Sequence, residues 1–250
     1  VQFVMSSGDA ASHNANAPTQ VVAAVDGERV DLAVADDHRT RGAKTPKAEL
    51  VVYGDFASPF AATAGRVVDT LIDQYPKDLR VAYRHFATAD NHTSMSSALA
   101  AEAAAKLGKF DVFRQLAFGR NDGLGYVDFS AWAGSLGVSD SDYRAAMKDP
   151  ATQAAVEADG AQAIALGLKR RPTFFLNGVQ VPGTMPADAL AGVIDKELAA
   201  AQSAGGLKAL LKTEPFDLEG VDIGTLEQKR EGQARFGEST VRIDDNDPSW

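Results

Sequence analysis

The 250-residue chain contains no cysteine. Disulfide bonds, cysteine-ligated zinc and thiolate catalysis are therefore excluded for this sequence. No apolar run approaches the ~18 residues that a membrane-spanning helix needs, so we predict no transmembrane segment. Residues 1–5 are too few and too uncharged to form an intact signal peptide. Basic residues are also in deficit, with 25 Lys and Arg against 34 Asp and Glu. This balance argues against nucleic acid as a partner.

The composition is otherwise that of a globular protein, with 45% hydrophobic and 24% charged residues. Density of apolar residues divides the chain into an N-terminal extension at 1–47, a compact domain at 48–203 and a C-terminal extension or linker at 204–250. Small polar residues before about residue 20 predict a loop or disorder. An Asp-Gly pair within residues 21–30 predicts a small hairpin there, and residues 226–236 predict one charged helix.

The compact domain begins with a strand–helix–strand pattern. Residues 49–56 are apolar and rich in β-branched side chains, which predicts a buried strand. Ser58 and Pro59 follow, and these residue types favour the N-cap and the first turn of a helix. Apolar residues then recur at helical spacing up to Tyr75, and residues 79–86 predict a second strand. We expect the two strands to be parallel, with a right-handed crossover.

A long helical pattern follows, at about residues 88–168, and it is interrupted by glycines. Aromatic side chains at helical spacing predict the core of this region; they are Phe110, Phe113, Phe129 and Trp132. The strand pattern returns at residues 173–176 and 179–181, around an Asn-Gly pair that predicts a hairpin. A last helix is predicted from near Pro186.

Several segments, in the same order along the chain, resemble the DsbA-like family of thiol–disulfide oxidoreductases. The first is Asp55-Phe56 leading into Ser58-Pro59-Phe60-Ala61, and the most specific is the Arg-Pro-Thr-Phe-Phe-Leu-Asn-Gly segment at residues 171–178. Tyr83-Arg84-His85-Phe86 and the Ala-rich helix before Lys109-Phe110 also match. The resemblance covers roughly residues 41–200. It implies an α/β, thioredoxin-like fold with an inserted α-helical domain, and a location in the periplasm or elsewhere outside the cytoplasm.

The chain departs from the family at the centre of its chemistry. The family has Cys-Pro-x-Cys at a helix N-terminus, where the first cysteine forms a stabilised thiolate. The two cysteine positions here are Ser58 and Ala61. Serine forms neither a thiolate nor a disulfide, so the redox reaction does not carry over to this chain.

The resemblance also assigns a binding surface. The family's cis-proline corresponds to Pro172, which we expect to be cis and to face the turn at Ser58. Such a proline leaves a neighbouring backbone edge free to pair with an extended peptide. The predicted binding residues are Phe60 on the turn, with Arg171, Pro172 and Thr173 on the loop.

The sequence therefore predicts a redox-inactive DsbA-like module that binds a protein or an extended peptide, and that could be one subunit of a larger cell-envelope assembly. One alternative is an oxidoreductase whose cysteines at positions 58 and 61 were replaced by design, which the encoding gene would decide. Another is a hydrolase with Ser58 as nucleophile and His85 as its base. The helix N-cap is the simpler role for Ser58.

The remaining polar residues predict no cofactor. His85 and His92 are not joined by acidic residues at a recognised metal-binding spacing, so no metal site is predicted. Asp55 is expected to make hydrogen bonds at the end of its strand. Lys169, Arg170 and Arg171 form a basic patch that could meet an acidic partner, although a solvated run of charge is the commoner arrangement.

Overall fold

The structure is a computed structural model that describes residues 29–32, 34, 37–88, 90–120, 123–125 and 127–212. The predicted helix at 226–236 and most of the predicted hairpin at 21–30 lie outside the described residues. No helix in the described ranges combines the length and the apolar character that crossing a membrane requires.

The elements follow the order that the sequence predicts, with one additional strand at the start and one additional short helix at the end. They are β1 (Thr40–Gly42), β2 (Ala48–Gly54), α1 (Ala61–Gln74), β3 (Leu79–His85), α2 (His92–Lys106), α3 (Phe110–Phe118), a 3-10 turn (Phe129–Trp132), α4 (Ala133–Leu136), α5 (Asp140–Lys148), α6 (Pro150–Ala165), β4 (Thr173–Leu176), β5 (Val179–Pro182), α7 (Ala187–Ala204) and α8 (Leu207–Leu210). Helices α2 to α6 therefore lie between β3 and β4, where the sequence predicts the helical insertion.

The strands form a five-stranded mixed sheet in the order β1-β3-β2-β4-β5. Strands β2 and β3 are parallel, as predicted from the strand–helix–strand pattern, and the other pairs are antiparallel. The thioredoxin-like fold with a helical insertion is confirmed. The strand β2 runs toward the candidate site, because the chain leaves Gly54 directly into the turn that contains Ser58.

One strand was not predicted, and one local prediction is wrong. Strand β1 lies in the polar stretch before β2 and pairs with β3 through Thr40 opposite Ala82; its polar composition gave no sign of a strand. Helix α1 begins at Ala61 with Phe60 as its N-cap residue, rather than directly after Ser58. The segment between Ser58 and Ala61 forms a separate turn, closed by a 3.0 Å hydrogen bond from the Ala61 N–H to the Ser58 carbonyl.

One face of the sheet and the helical insertion share a single hydrophobic core. Phe56, two residues after the end of β2, stacks on Tyr83 with ring centroids 5.1 Å apart and meets Phe113 of α3 edge-on at 5.3 Å. Phe113 is fully buried, and burial of such a side chain contributes roughly 1.5–3 kcal/mol. Three of the four aromatic residues predicted as core are buried, and Trp132 is half-buried against them. The insertion is therefore packed on the sheet rather than separate from it.

The opposite face of the sheet is covered by α6 and by the first described residues. Val30, Leu32 and Val34 pack against the apolar side chains of this face, among them Val51 and Phe175. We call the described residues 29–32 and 34 the N-terminal strap. The strap is fixed to the β4–β5 hairpin by a 2.9 Å hydrogen bond from the Val30 N–H to the Gly178 carbonyl.

A buried ion pair anchors the strap. The Arg29 guanidinium donates to both carboxylate oxygens of Glu197 on α7, at 3.0 and 2.8 Å, and to the Asn177 carbonyl at 2.9 Å. The side chains of Arg29 and Glu197 are 3% and 0% exposed. Arg29 lies within the predicted N-terminal extension at 1–47, whose boundary stays a prediction, and the pair ties this part of the extension to the compact domain.

Candidate functional site

The candidate site is formed where the turn after β2 faces the loop before β4. The Arg171–Pro172 peptide bond is cis, as predicted. The Ser58 hydroxyl donates to the Arg171 carbonyl oxygen at 3.2 Å and accepts from the Phe60 N–H at 3.3 Å. Ala61 and Pro172 border the same cavity. The structure thus brings the family's two cysteine positions opposite the proline.

Asp55 connects the parts of this site. It is buried, and its Oδ1 accepts from the Ala57 N–H at 2.9 Å. Its Oδ2 accepts from the Ser94 hydroxyl of α2 at 2.7 Å and from the Arg171 guanidinium at 3.2 Å. The predicted strand-end hydrogen bonding is confirmed, and the same carboxylate also holds the proline loop against the turn.

The loop residues Arg171 and Thr173 use their side chains internally. The Arg171 guanidinium also donates to the Phe86 carbonyl at 3.2 Å and lies 5.0 Å from the centroid of the Phe86 ring. The Thr173 hydroxyl donates to the Arg170 carbonyl at 2.7 Å. Arg171 is therefore not part of a freely solvated charge run. A binding role for these two residues stays a prediction, and it would involve their backbone groups.

The surface of the site combines apolar and cationic side chains. Phe60 is 42% exposed, although most large apolar side chains of the described chain are buried. Pro59 beside it is exposed, and so are Lys169 and Arg170 on the opposing loop. These four side chains, together with the Ser58 turn and the Arg171–Pro172 bond, are called the turn–loop face below.

Beneath the turn lies a cavity of about 30 Å³, which is room for about one or two water molecules. Ala61 and Gly65 border it from α1, Tyr83 from β3 and Phe118 from α3. The lining is mainly apolar, although Asp55 and three arginines also contribute to it. The Ala61 methyl group therefore lies next to a small, mainly apolar space.

The structure does not assemble the Ser58–His85 pair that a hydrolase would need. Ser58 makes its hydrogen bonds to the backbone of Arg171 and Phe60. His85 is buried, and its Nε2 lies 3.3 Å from a carboxylate oxygen of Glu102 on α2. His92 is exposed at the start of α2. Among the described residues, no group of three or more His, Asp or Glu side chains is arranged to hold a metal ion.

Sequence reasoning missed a buried cluster of charged side chains behind the site. Arg39 forms ion pairs with Asp159 of α6 and with Glu102, the latter with Nε 3.3 Å from Oε2. His38 and His85 each contact one oxygen of Glu102, at 3.2 and 3.3 Å. Of these residues, only His85 has a local sequence pattern that could have indicated its place, because it lies in a predicted strand of alternating apolar and polar residues. Arg39, Glu102 and Asp159 come together from positions far apart in the sequence.

The cluster sets the ionisation of Glu102. Burial alone would raise the pKa of this carboxyl, but the hydrogen bond to His85 and the charge of Arg39, with smaller contributions from His85 and His38, lower its pKa to about 2. The carboxylate is therefore charged in the folded protein at neutral pH. The cluster connects β3, α2 and α6 and so supports the end of the sheet that carries the turn.

The sequence of residues 35–196 matches the model of the thioredoxin family. Over 157 residues, 62% of this chain, the sequence is 31% identical to a Na(+)/H(+) antiporter NhaA 1 of Mycobacterium sp. (strain KMS), and the match covers 25% of that protein. The chain thus spans about a quarter of the length of this relative. The match does not carry the relative's transport activity to this chain.

Solved structures with the same fold are similar over most of the chain. A thioredoxin-like oxidoreductase from Silicibacter pomeroyi is 23% identical, with a TM-score of 0.59, and covers 67% of this chain and 100% of its own. The α-DsbA1 of Wolbachia pipientis is 19% identical, with a TM-score of 0.58, over 72% and 96%. A periplasmic thioredoxin-like protein from Salmonella enterica serovar Typhimurium is 19% identical, with a TM-score of 0.54, over 66% and 92%.

Proposed function

Because this chain belongs to the thioredoxin family and has the DsbA-like form of its fold but no cysteine, we propose that it is a redox-inactive module that binds an extended segment of a partner protein. The binding surface is the turn–loop face. Thiol–disulfide exchange requires a thiolate that attacks a disulfide, and the sequence has no sulfur atom of that kind. Any function of this face therefore rests on packing and hydrogen bonding.

The observation that carries the proposal is the retained contact between the turn and the proline loop. The Ser58 hydroxyl lies 3.2 Å from the Arg171 carbonyl oxygen, and Asp55 holds both segments through buried hydrogen bonds. Backbone edges recognise extended peptides without any cysteine. Exposed Phe60 adds an apolar contact of the kind that anchors protein interfaces.

The partner and the compartment are further parts of this proposal. We place the module outside the cytoplasm, as the family resemblance implies; the similar Salmonella protein is periplasmic. There it would be one subunit or one domain of a larger cell-envelope assembly. An oxidoreductase with both cysteines replaced would have the same contact between the turn and the proline loop. The sequence of the encoding gene distinguishes that alternative from the proposal.

A peptide array tests the proposal directly. The full chain is labelled and applied to an array of extended 12- to 15-residue peptides, and binding is then measured in solution for the peptides that it retains. Phe60→Ser should weaken binding about tenfold or more, because truncating an exposed aromatic anchor removes a buried apolar contact in the complex. Because the side chain at position 60 is exposed, its replacement by serine should not impair folding.

The matched control is Ile164→Ser. Ile164 is 68% exposed on α6, and it is not part of the turn–loop face. Its substitution should leave peptide affinity within about twofold of the wild-type value, since it removes apolar surface of a similar kind elsewhere. Equal affinities for the wild type, Phe60→Ser and Ile164→Ser would show that the turn–loop face is not the binding surface.

A further inference from the structure

Two cations on the turn–loop face have no partner within the described part of the chain. Lys169 and Arg170 are both exposed. Neither the Lys169 ammonium nor the Arg170 guanidinium makes a hydrogen bond or an ion pair with any described residue. Their neighbour Arg171, by contrast, is bound to Asp55 and to the Phe86 carbonyl. The loop therefore turns one arginine inward and leaves two charges on the surface.

Several other arginines of this acidic protein, whose net charge is −9, are ion-paired. Arg41 and Arg114 share the carboxylate of Asp69, and Arg144 is paired with Asp140 even though it lies on the surface. Acidic side chains are in excess, yet none of those described neutralises Lys169 or Arg170. Asp90, which also lies near this loop, is within the electrostatic influence of Arg171, and its carboxylate is hydrogen-bonded by Thr88.

The loop that carries the two cations contacts the turn that carries Phe60. Arg170 precedes Arg171, whose carbonyl receives the Ser58 hydroxyl, and Phe60 is two residues beyond Ser58. The Arg170 carbonyl is itself held by the Thr173 hydroxyl at 2.7 Å. The cationic and apolar residues therefore flank the same contact between turn and loop, and we expect one extended segment crossing that contact to reach both.

We infer that the segment recognised at this face is acidic, with an aspartate or glutamate that meets Lys169 and Arg170 and an adjacent apolar side chain that packs on Phe60. This inference rests on the proposed function, because it names the chemistry of the partner at the same face. Charge complementarity of this kind favours the correct partner and speeds its association. An arginine also offers a planar pair of N–H donors that match a carboxylate.

Two synthetic peptides test the inference with the full chain. Both carry a Leu-Phe pair, which is followed by two glutamates in one peptide and by two glutamines in the other. The acidic peptide should bind about three- to tenfold more tightly at low ionic strength, since exposed ion pairs each contribute modestly. The difference should shrink at high salt because these charges are screened.

The double variant Lys169→Gln/Arg170→Gln should reduce the affinity for the acidic peptide to that for the neutral one, and leave the neutral peptide unchanged. The control is Lys208→Gln/Lys212→Gln, which removes the same charge from exposed positions near α8. A control variant that loses as much affinity as Lys169→Gln/Arg170→Gln would show that net charge alone is responsible, and the inference would be wrong.

The outcomes separate the inference from the proposed function. If both peptides bind equally and Phe60→Ser weakens both, the face binds peptides but does not select acidic ones, so the inference fails alone. If neither peptide binds and the array retains none, the proposed function fails and the inference fails with it. Binding of the acidic peptide that is unaffected by Phe60→Ser and by Lys169→Gln/Arg170→Gln would place the acidic site elsewhere and overturn both.

Discussion

Ser58 shows how much of the site survives the loss of sulfur. Its hydroxyl accepts a hydrogen bond from the Phe60 N–H and donates one to the Arg171 carbonyl, so it holds the turn against the proline loop. A hydroxyl does this well but is not deprotonated near neutral pH. Ala61 contributes only a methyl group, next to a small cavity. At this scale the site keeps its shape and loses its capacity for electron exchange.

Gly65 allows α1 to pack closely against α3. A Cβ built on Gly65 would overlap the ring of Phe118, and that ring is held between Phe56 and Arg114, each 5.5 Å from it. We expect Gly65→Ala to lower the free energy of unfolding by about 1–3 kcal/mol, because the ring has little room to move. Urea-induced unfolding measures the change.

Gly192 provides the control for this substitution. It lies on α7, and nothing is within 4 Å of a Cβ built on it. Gly192→Ala should raise the stability by about 0.5–1 kcal/mol, since alanine is the better helix former. A gain in stability for Gly65→Ala that is similar to the gain for Gly192→Ala would argue against close packing at Gly65.

At the scale of elements, the N-terminal strap is the largest feature of the structure that the sequence did not predict. Its apolar side chains complete the sheet face beside α6, and its arginine reaches the fully buried carboxylate of Glu197. Asn177 donates to the same carboxylate at 2.5 Å. The hairpin, the last long helix and the strap therefore stabilise one another through a single acidic side chain.

Breaking the buried pair should destabilise the protein strongly. Arg29→Met leaves the Glu197 carboxylate buried without its cation, and we expect a loss of about 3–5 kcal/mol in the free energy of unfolding. Arg29→Met/Glu197→Gln should recover much of this, because the neutral amide still accepts from Asn177. The control, Arg144→Met, removes an exposed pair and should cost less than about 1 kcal/mol. A similar small loss for Arg29→Met would mean that the strap is not anchored by this pair.

The sequence predicted most elements because their patterns are local. The alternation in β3, the Asn-Gly hairpin and the helical spacing of Phe110 and Phe113 can be recognised within a few residues. The start of α1 was misplaced because Ser58 directs its hydroxyl to Arg171, a partner 113 residues away. Contacts of this kind have no local signature.

The candidate site was predicted only in part for the same reason. The position of Ser58 opposite Pro172 came from the family resemblance, and Asp55 was correctly expected to bond at its strand end. The link from Asp55 to Ser94 and Arg171 spans separate elements, and so does the ion cluster around Glu102. Taken individually, Arg39 and Glu102 are residue types that usually lie on the protein surface.

For the molecule as a whole, the sheet and the helical insertion are joined by a shared apolar core on one side and by the ion cluster behind the site. Glu102, which lies on α2, is central to the cluster, since it contacts His38, His85 and Arg39. The insertion and the sheet should therefore unfold together, and the charge state of this one carboxyl should affect the stability of the entire described fold.

Acid should remove the contribution of Glu102. Folding lowers its pKa from 4.5 to about 2, which corresponds to roughly 3 kcal/mol of stability. Because the folded pKa is the lower one, this stability is fully present above about pH 4.5 and is lost as the pH falls toward 2. Unfolding measured across this range should show a steep decline for the wild type.

Glu102→Gln should be less stable at neutral pH and show a flatter decline between about pH 4.5 and 2, since it has no carboxyl to protonate. Glu157→Gln is the matched control, because Glu157 is exposed and is bonded only to Gln153 among the described residues. Its pH profile should follow that of the wild type. Parallel profiles for Glu102→Gln and Glu157→Gln would refute the role assigned to Glu102.

Both ends of the described chain lie at the same pole of the sheet. Arg29 bonds to Asn177 at the hairpin turn, while Leu207 of α8 and Lys47, just before β2, border one surface cleft. Strand β2 starts at this pole and runs through its seven residues to the turn, a distance of about 20 Å. A tether that joined the described fold through residue 29 or residue 212 would therefore start at the end of the sheet opposite the turn–loop face, so that tethering and recognition need not compete for the same surface.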